Sequence, residues 1–192
     1  MRVLIVFATR EGHTHRIADH IAEAVRRRGY EPHVVDAAAT GDDFDLGGHA
    51  AAILAASVHL GTHEREMKRF IRQHREALQS MPSAFISVSM SAVRAADPTR
   101  DPDDREQATR DVVDMMEELF QETGWRPDRK RPVAGALMYT KYNFLVRWIM
   151  KRIAREQGGS TDTSRDHIYT DWGTLDRFVG EFMVHLDEAA AA

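Results

Sequence analysis

Six consecutive residues, Thr9-Arg10-Glu11-Gly12-His13-Thr14, carry the densest chemistry in this 192-residue chain. They follow the apolar run VLIVFA at residues 3–8 and lead into a stretch with helical spacing. A phosphate at such a strand-to-helix junction meets unpaired backbone N–H groups, the positive end of the helix dipole and two threonine hydroxyls. Gly12 permits close backbone approach. The same residues also read as a plain junction, with Thr14 capping the helix and Gly12 serving a tight turn, and alone they leave both readings open.

The ten histidines are the other candidates for chemistry. His13 and His15 are two apart, His15 and His20 five apart, and only His59 and His63 have the four-residue spacing that zinc pairs use on a helix. No HExxH arrangement accompanies them, so no metal site is expected. The chain has no cysteine, which excludes disulfides, thiolate zinc sites, cysteine-ligated clusters and thiol nucleophiles.

The elements that must position these residues alternate between two periodicities. Residues 3–8, 33–36, 51–57, 83–90 and 133–139 are short, nearly continuous apolar runs, as strands covered on both faces require. Helical stretches lie between them at residues 14–28, 63–79 and 104–122, the first and third closed by Gly29 and Gly124. In the third, Met115 and Met116 fall on the apolar stripe and read as core filling. The alternation predicts an α/β fold: a doubly wound, five-stranded parallel sheet in the order 2-1-3-4-5, with helices on both faces. Ligands of such sheets bind at the carboxyl ends of the strands. The length suits a single domain over residues 1–192, with the alanine run at 189–192 as a frayed end.

Charge is unevenly spread. The net charge is −4, yet residues 126–155 hold nine Lys/Arg against one Asp. Residues 97–118 are acidic, reading as a solvated loop and helix face, and nothing supports nucleic-acid binding by the whole chain. The start of the chain reads as the first strand of the domain rather than a secretory signal. No window approaches the roughly 20 apolar residues of a membrane span, because Arg147, Lys151 and Arg152 interrupt the best candidate.

The pattern Thr-x-x-Gly-x-Thr after the first strand resembles the FMN phosphate loop of flavodoxins. Further segments, MPSAFISVSM from Met81, GWRPD from Gly124, VAGALMY from Val133, GGSTDTS from Gly158 and YTDW from Tyr169, resemble the bacterial flavodoxin-type protoporphyrinogen oxidases, in order and over nearly the whole chain. The resemblance implies an FMN enzyme that oxidises protoporphyrinogen IX and passes the electrons to a membrane quinone. It places the enzyme in the cytoplasm, peripheral on the inner face of the membrane.

By position, Thr9, Arg10, Glu11, Gly12, His13 and Thr14 would hold the FMN phosphate. Ser57, Val58, His59, Leu60, Gly61, Ser89, Met90 and Ser91 would flank the flavin ring, with His59 as a flavin-edge hydrogen-bond donor. Flavodoxins usually carry a hydroxyl residue where this chain has Glu11, so that carboxylate is expected to turn outward, toward Arg10. They also place aromatic rings against the flavin, which these two loops lack, so a covering element from elsewhere is expected.

Residues 139–165 form the segment that these oxidases insert after strand five. Read as a helix, it has an apolar stripe of Tyr142, Leu145, Val146, Ile149, Met150 and Ile153, with Arg147, Lys151 and Arg155 on the opposite side. With Trp148 beside the stripe, such a basic amphipathic helix suits an anionic membrane surface or a porphyrinogen whose propionates need cations. It also suits an ordinary helix packed on its own sheet. A flavodoxin-type NAD(P)H:quinone reductase and a non-enzymatic electron carrier are the alternatives, and a carrier should keep its function when residues 142–155 are replaced by a short turn.

Overall fold

The computed structural model describes residues 1–41, 43–157 and 159–191, with side chains through residue 188. In chain order the elements are β1 (Arg2–Ala8), α1 (His13–Arg26), β2 (Glu31–Asp36), β3 (His49–His59), β4 (Thr62–His63), α2 (Arg65–Gln79), β5 (Ser83–Ser89), α3 (Ser91–Ala96) and α4 (Pro102–Thr123). They continue as β6 (Arg129–Ala134), β7 (Ala136–Leu137), a 3-10 turn (Tyr139–Lys141), α5 (Phe144–Gln157), β8 (His167–Ile168) and α6 (Trp172–Ala191). The main sheet runs β2-β1-β3-β5-β6 with every neighbour parallel, which is the expected 2-1-3-4-5 order. The short β4 adds only an antiparallel hairpin to the end of β3.

Strand geometry sorts the apolar residues by parity, because successive side chains point to opposite faces. Val3, Ile5 and Phe7 of β1 join Ala51, Ile53 and Ala55 of β3 in a core under α1 and α6. Leu4, Val6 and Ala8 join Ala52, Leu54 and Ala56 in a second core under α2 and α4. The middle of β3 is therefore mostly alanine on both faces, all of it buried. α1 supplies Ile17, Ala18, Ile21, Ala24 and Val25 at helical spacing. α4 starts at Pro102 behind an Asp101 cap whose side chain accepts from the Asp103 N–H at 2.9 Å, and stops at Gly124 with φ 69°.

Besides the short β4, α3, β7 and β8, which the sequence reading does not contain, two larger elements differ from it. The fifth strand is 129–134 rather than 133–139. It is an edge strand whose Arg129, Lys130 and Pro132 are exposed, so its composition hides it, while the apolar run from Val133 leaves the sheet at Gly135. The sequence reading also omits α6, whose Leu175, Phe178, Val179, Phe182, Met183 and Leu186 fill the first core. The helix runs to Ala191 where a frayed end was expected; Ala192 lies outside the described residues.

The insert builds a third core of Leu137, Met138, Tyr139, Tyr142 and Ala154. Its two arms are stitched together by β7–β8 pairing, the Tyr139 hydroxyl donating to the Ser160 carbonyl at 2.8 Å, and the Thr140 N–H donating to Asp166 Oδ1 at 2.9 Å.

If α6 is the lid of the first core, Phe182→Ala should lower stability by about 3–5 kcal/mol, read from the midpoint of urea unfolding. A loss under about 1 kcal/mol, as surface substitutions give, would mark α6 as an appendage.

Candidate functional site

The carboxyl ends of β1, β3, β5 and β6 open into one cleft. At its centre the loop after β1 turns on Gly12, whose φ of 86° lies in the left-handed region that favours glycine. The Gly12 N–H donates to Thr9 Oγ1 at 3.0 Å, and α1 begins with no side-chain cap. Thr14 is 1% exposed, and among the described residues its hydroxyl has no partner. Thr14 thus does not cap the helix. An uncapped helix start with a buried, unanswered hydroxyl is the arrangement that an anion completes.

His13 is held from the far side of the cleft. Thr170 donates its hydroxyl hydrogen to the Ala134 carbonyl at 2.7 Å, so the 2.8 Å contact with His13 requires Nε2 to be the donor. Nδ1 then carries a bare lone pair, buried and without a partner among the described residues. Burial first, and then the Arg16 charge, push this imidazole down to about 4, so it is neutral at pH 7.

Glu11 turns away from the loop, as expected, but its partner is His59 rather than Arg10. His59 Nε2 donates to Glu11 Oε2 at 3.0 Å and lies 3.4 Å from Glu64 Oε1. Glu64, only 3% exposed, also accepts from Ser57 Oγ at 3.0 Å and from Arg10 Nε at 3.1 Å. Arg10 is spent on this carboxylate and faces a separate shallow groove. One buried acid thereby joins the phosphate-loop candidate to the loop after β3. Sequence spacing gave no sign of it, because Glu64 stands at an ordinary helix start.

The loop after β3 is a two-residue hairpin with positive φ at both central positions, Leu60 at 50° and Gly61 at 80°. This is the primed turn that suits strand twist, and it strains leucine. Leu60 is 94% exposed at the rim of the cleft. Across from it, Ser89 Oγ accepts from the Ala92 N–H at 3.1 Å and fixes the turn carrying Met90 and Ser91. Met116 is core, as expected, whereas Met115 also lines the cleft.

The cleft thus brings together Thr9, Glu11, His13, Thr14, Ser57, Val58, His59, Leu60, Gly61, Ser89, Met90 and Ser91. The insert closes one side with Met138, Tyr142, Met150, Ile153 and Gln157, supplying the covering element that the loops lack. Burial raises the Tyr142 phenol to about 12, with the Glu11 charge adding to the effect.

The helix of the insert divides differently from the expected stripe. Tyr142 precedes it, and Met150, Ile153 and the buried Ala154 face inward. Leu145, Val146 and Ile149 are exposed, together with Phe144 and Trp148. Arg147 is half-buried and donates to the Tyr142 carbonyl at 3.1 Å, so it does not belong to the exposed basic side, whereas Lys151, Arg155 and Arg152, which pairs with Glu156, do. Lys141, unremarked within the basic block, reaches the Glu11 carbonyl at 2.9 Å. His59 and His63 share no helix: His63 sits on β4, buried, with Nε2 2.9 Å from Ser87 Oγ, and desolvation holds it at about 4.

This parallel sheet with its cleft at the strand ends is the architecture of a flavodoxin-type domain, and the Flavodoxin domain profile matches residues 4–164. Flavodoxin 1 of Bacillus cereus superimposes with a TM-score of 0.55 at 20% identity, covering 96% of this chain and 99% of that one. Over 98% of its length the chain is 31% identical to a protein of Escherichia coli K12 named protoporphyrinogen IX dehydrogenase [quinone], covering 97% of it. A Leishmania major protein of the same name is also 31% identical, over 94% of this chain and 74% of its own. The chain belongs to this family of flavodoxin-domain oxidoreductases.

Leu60 offers a direct check on the strained rim. Leu60→Asn should raise thermal stability by about 1 kcal/mol, because asparagine tolerates the left-handed region. Unchanged or lower stability would show that the turn carries no strain.

Proposed function

We propose that the protein is an FMN-dependent dehydrogenase that oxidises protoporphyrinogen IX to protoporphyrin IX and delivers the electrons to a quinone. The observation that carries the cofactor reading is the uncapped start of α1 with the unpartnered Thr14 hydroxyl beneath it. FMN, when bound, supplies the redox chemistry, so the chain needs no nucleophile of its own. Thr9, Gly12, His13 and Thr14 would hold its phosphate, Arg10 and Glu11 supporting the loop through Glu64 and His59 rather than touching the anion. Leu60, Met90 and Met115 offer apolar and polarisable contacts for a ring between the loops at Ser57–Gly61 and Ser89–Ser91. His59, held by Glu11 through Nε2, stands where the edge of such a ring would lie. Substrate and quinone are the ones that the relatives are named for.

The insert supports a peripheral position at a membrane. Among the described residues no helix is long and apolar enough to cross one. Phe144, Leu145 and Trp148 are nevertheless 87%, 64% and 59% exposed, and Lys151, Arg152 and Arg155 follow along the same helix. Apolar side chains next to cations match an interface with anionic headgroups. The outward face changes along the helix axis, apolar near the start and basic near the end.

FMN-loaded protein should be bleached anaerobically by protoporphyrinogen IX and recoloured by a quinone. Failure to bleach would overturn the substrate reading, and steady oxidation of NADPH in its place would make the protein a quinone reductase. Tryptophan fluorescence should shift to the blue with vesicles containing anionic lipid and not with neutral ones. If Leu145→Ser with Trp148 intact gives the same shift as the unaltered chain, the membrane face is not this helix.

A further inference from the structure

The FMN reading leaves the Lys141 ammonium unassigned. Lys141 ends the 3-10 turn of the insert, and its ammonium sits against the loop at the start of α1. A Cβ built on Gly12 would lie 3.1 Å from Lys141 Nζ. Its only hydrogen-bond or ion-pair partner among the described residues is the Glu11 carbonyl at 2.9 Å. Glu11, the acid nearest in sequence to this contact, gives its carboxylate to His59.

Among the described residues no carboxylate forms an ion pair with this ammonium. The start of a helix carries positive charge, and α1 has no capping side chain to offset it. A lysine belongs at the other end of a helix. Here it is delivered from 130 residues away to the positive end, against Glu11 and Gly12 of the loop that leads to the buried Thr14 hydroxyl, which has no partner among the described residues. The turn that delivers it is fixed by the Tyr139–Ser160 and Thr140–Asp166 hydrogen bonds, so its position is set by the insert.

We infer that Lys141 is a phosphate-binding residue: the insert supplies the counter-charge for the flavin phosphate, and the phosphate in turn pins the insert over the cleft. The inference rests on the FMN reading. A bound phosphate monoester carries close to two negative charges and answers three donors together: the helix N–H groups, the Thr14 hydroxyl and the Lys141 ammonium. The ammonium has three hydrogens, so it can keep the Glu11 carbonyl while donating to the phosphate. This also explains why Glu11 is tolerated in the loop. Its carboxylate is held off by His59, and its carbonyl orients the lysine.

The test compares FMN with riboflavin, which has the same ring and no phosphate. Flavin-free protein would be titrated with each by flavin fluorescence, for the unaltered chain, Lys141→Met and Lys141→Arg. Lys141→Met should weaken FMN about tenfold or more, as loss of a charge-assisted hydrogen bond does. Riboflavin should be unaffected, Lys141→Arg should stay within about threefold for FMN, and the salt dependence of FMN binding should flatten in Lys141→Met. FMN should also protect the insert from limited proteolysis in the unaltered chain and less so in Lys141→Met. Equal FMN affinity in Lys141→Met and the unaltered chain would overturn the assignment alone. So would a parallel loss for riboflavin, which would reduce the lysine to docking the insert. Failure of the folded, unaltered chain to bind FMN would overturn the cofactor reading and this inference with it.

Discussion

A buried carboxylate must be answered from every side, because leaving one ionised without partners costs several kcal/mol. Glu64 is answered by Ser57, Arg10 and His59, and these belong to the end of β3 and to the loop after β1. The geometry of the cleft hangs on that requirement. Without the acid, Arg10 would be free to turn into the loop, and His59 would lose half of its setting. The pairing also leaves the start of α1 without a capping side chain at the centre of the site.

The sheet was legible because parallel strands covered on both faces must be nearly continuous apolar runs, as β1, β3 and β5 are, with β2 marked by the shorter run at residues 33–36. The edge strand was not, since Arg129, Lys130 and Pro132 carry its exposed side and the apolar run beside them belongs to the next core. α6 did have a legible signal: Leu175, Phe178, Val179, Phe182, Met183 and Leu186 recur at helical spacing. In the site, twelve of the fourteen residues expected at the cofactor line the cleft, Arg10 and Gly12 being the exceptions. Local motifs reveal such loops because chain order and strand ends fix where they lie. The contributions of Glu64, Thr170 and Lys141 were illegible, as each depends on a contact between segments with no sequence spacing to announce it.

The insert shows how periodicity can mislead about facing. Its apolar residues are too many for one side of a helix, so a count of them cannot say which are covered. The third core takes Ala154 with Met150 packed against it, and Leu145, Ile149 and Trp148 are left outside. A helix that buries its smaller residues and exposes its larger ones is poorly explained by packing on its own domain. The inward turn of Arg147 onto the Tyr142 carbonyl belongs to the same arrangement, in which a residue of the basic block serves the backbone at the helix start.

The alanines of β3 have a consequence for the cleft. Ala51 and Ala55 on one face and Ala52 and Ala56 on the other are fully buried, so methyl groups set the gap between the sheet and its helices. α1 rests on that gap with its open end at the site. The central strand therefore acts as a spacer gauge for the cleft: a larger side chain at Ala55 would lift α1 and carry the anion-binding end with it. Natural variation at these positions should then be limited by ligand geometry as well as by folding.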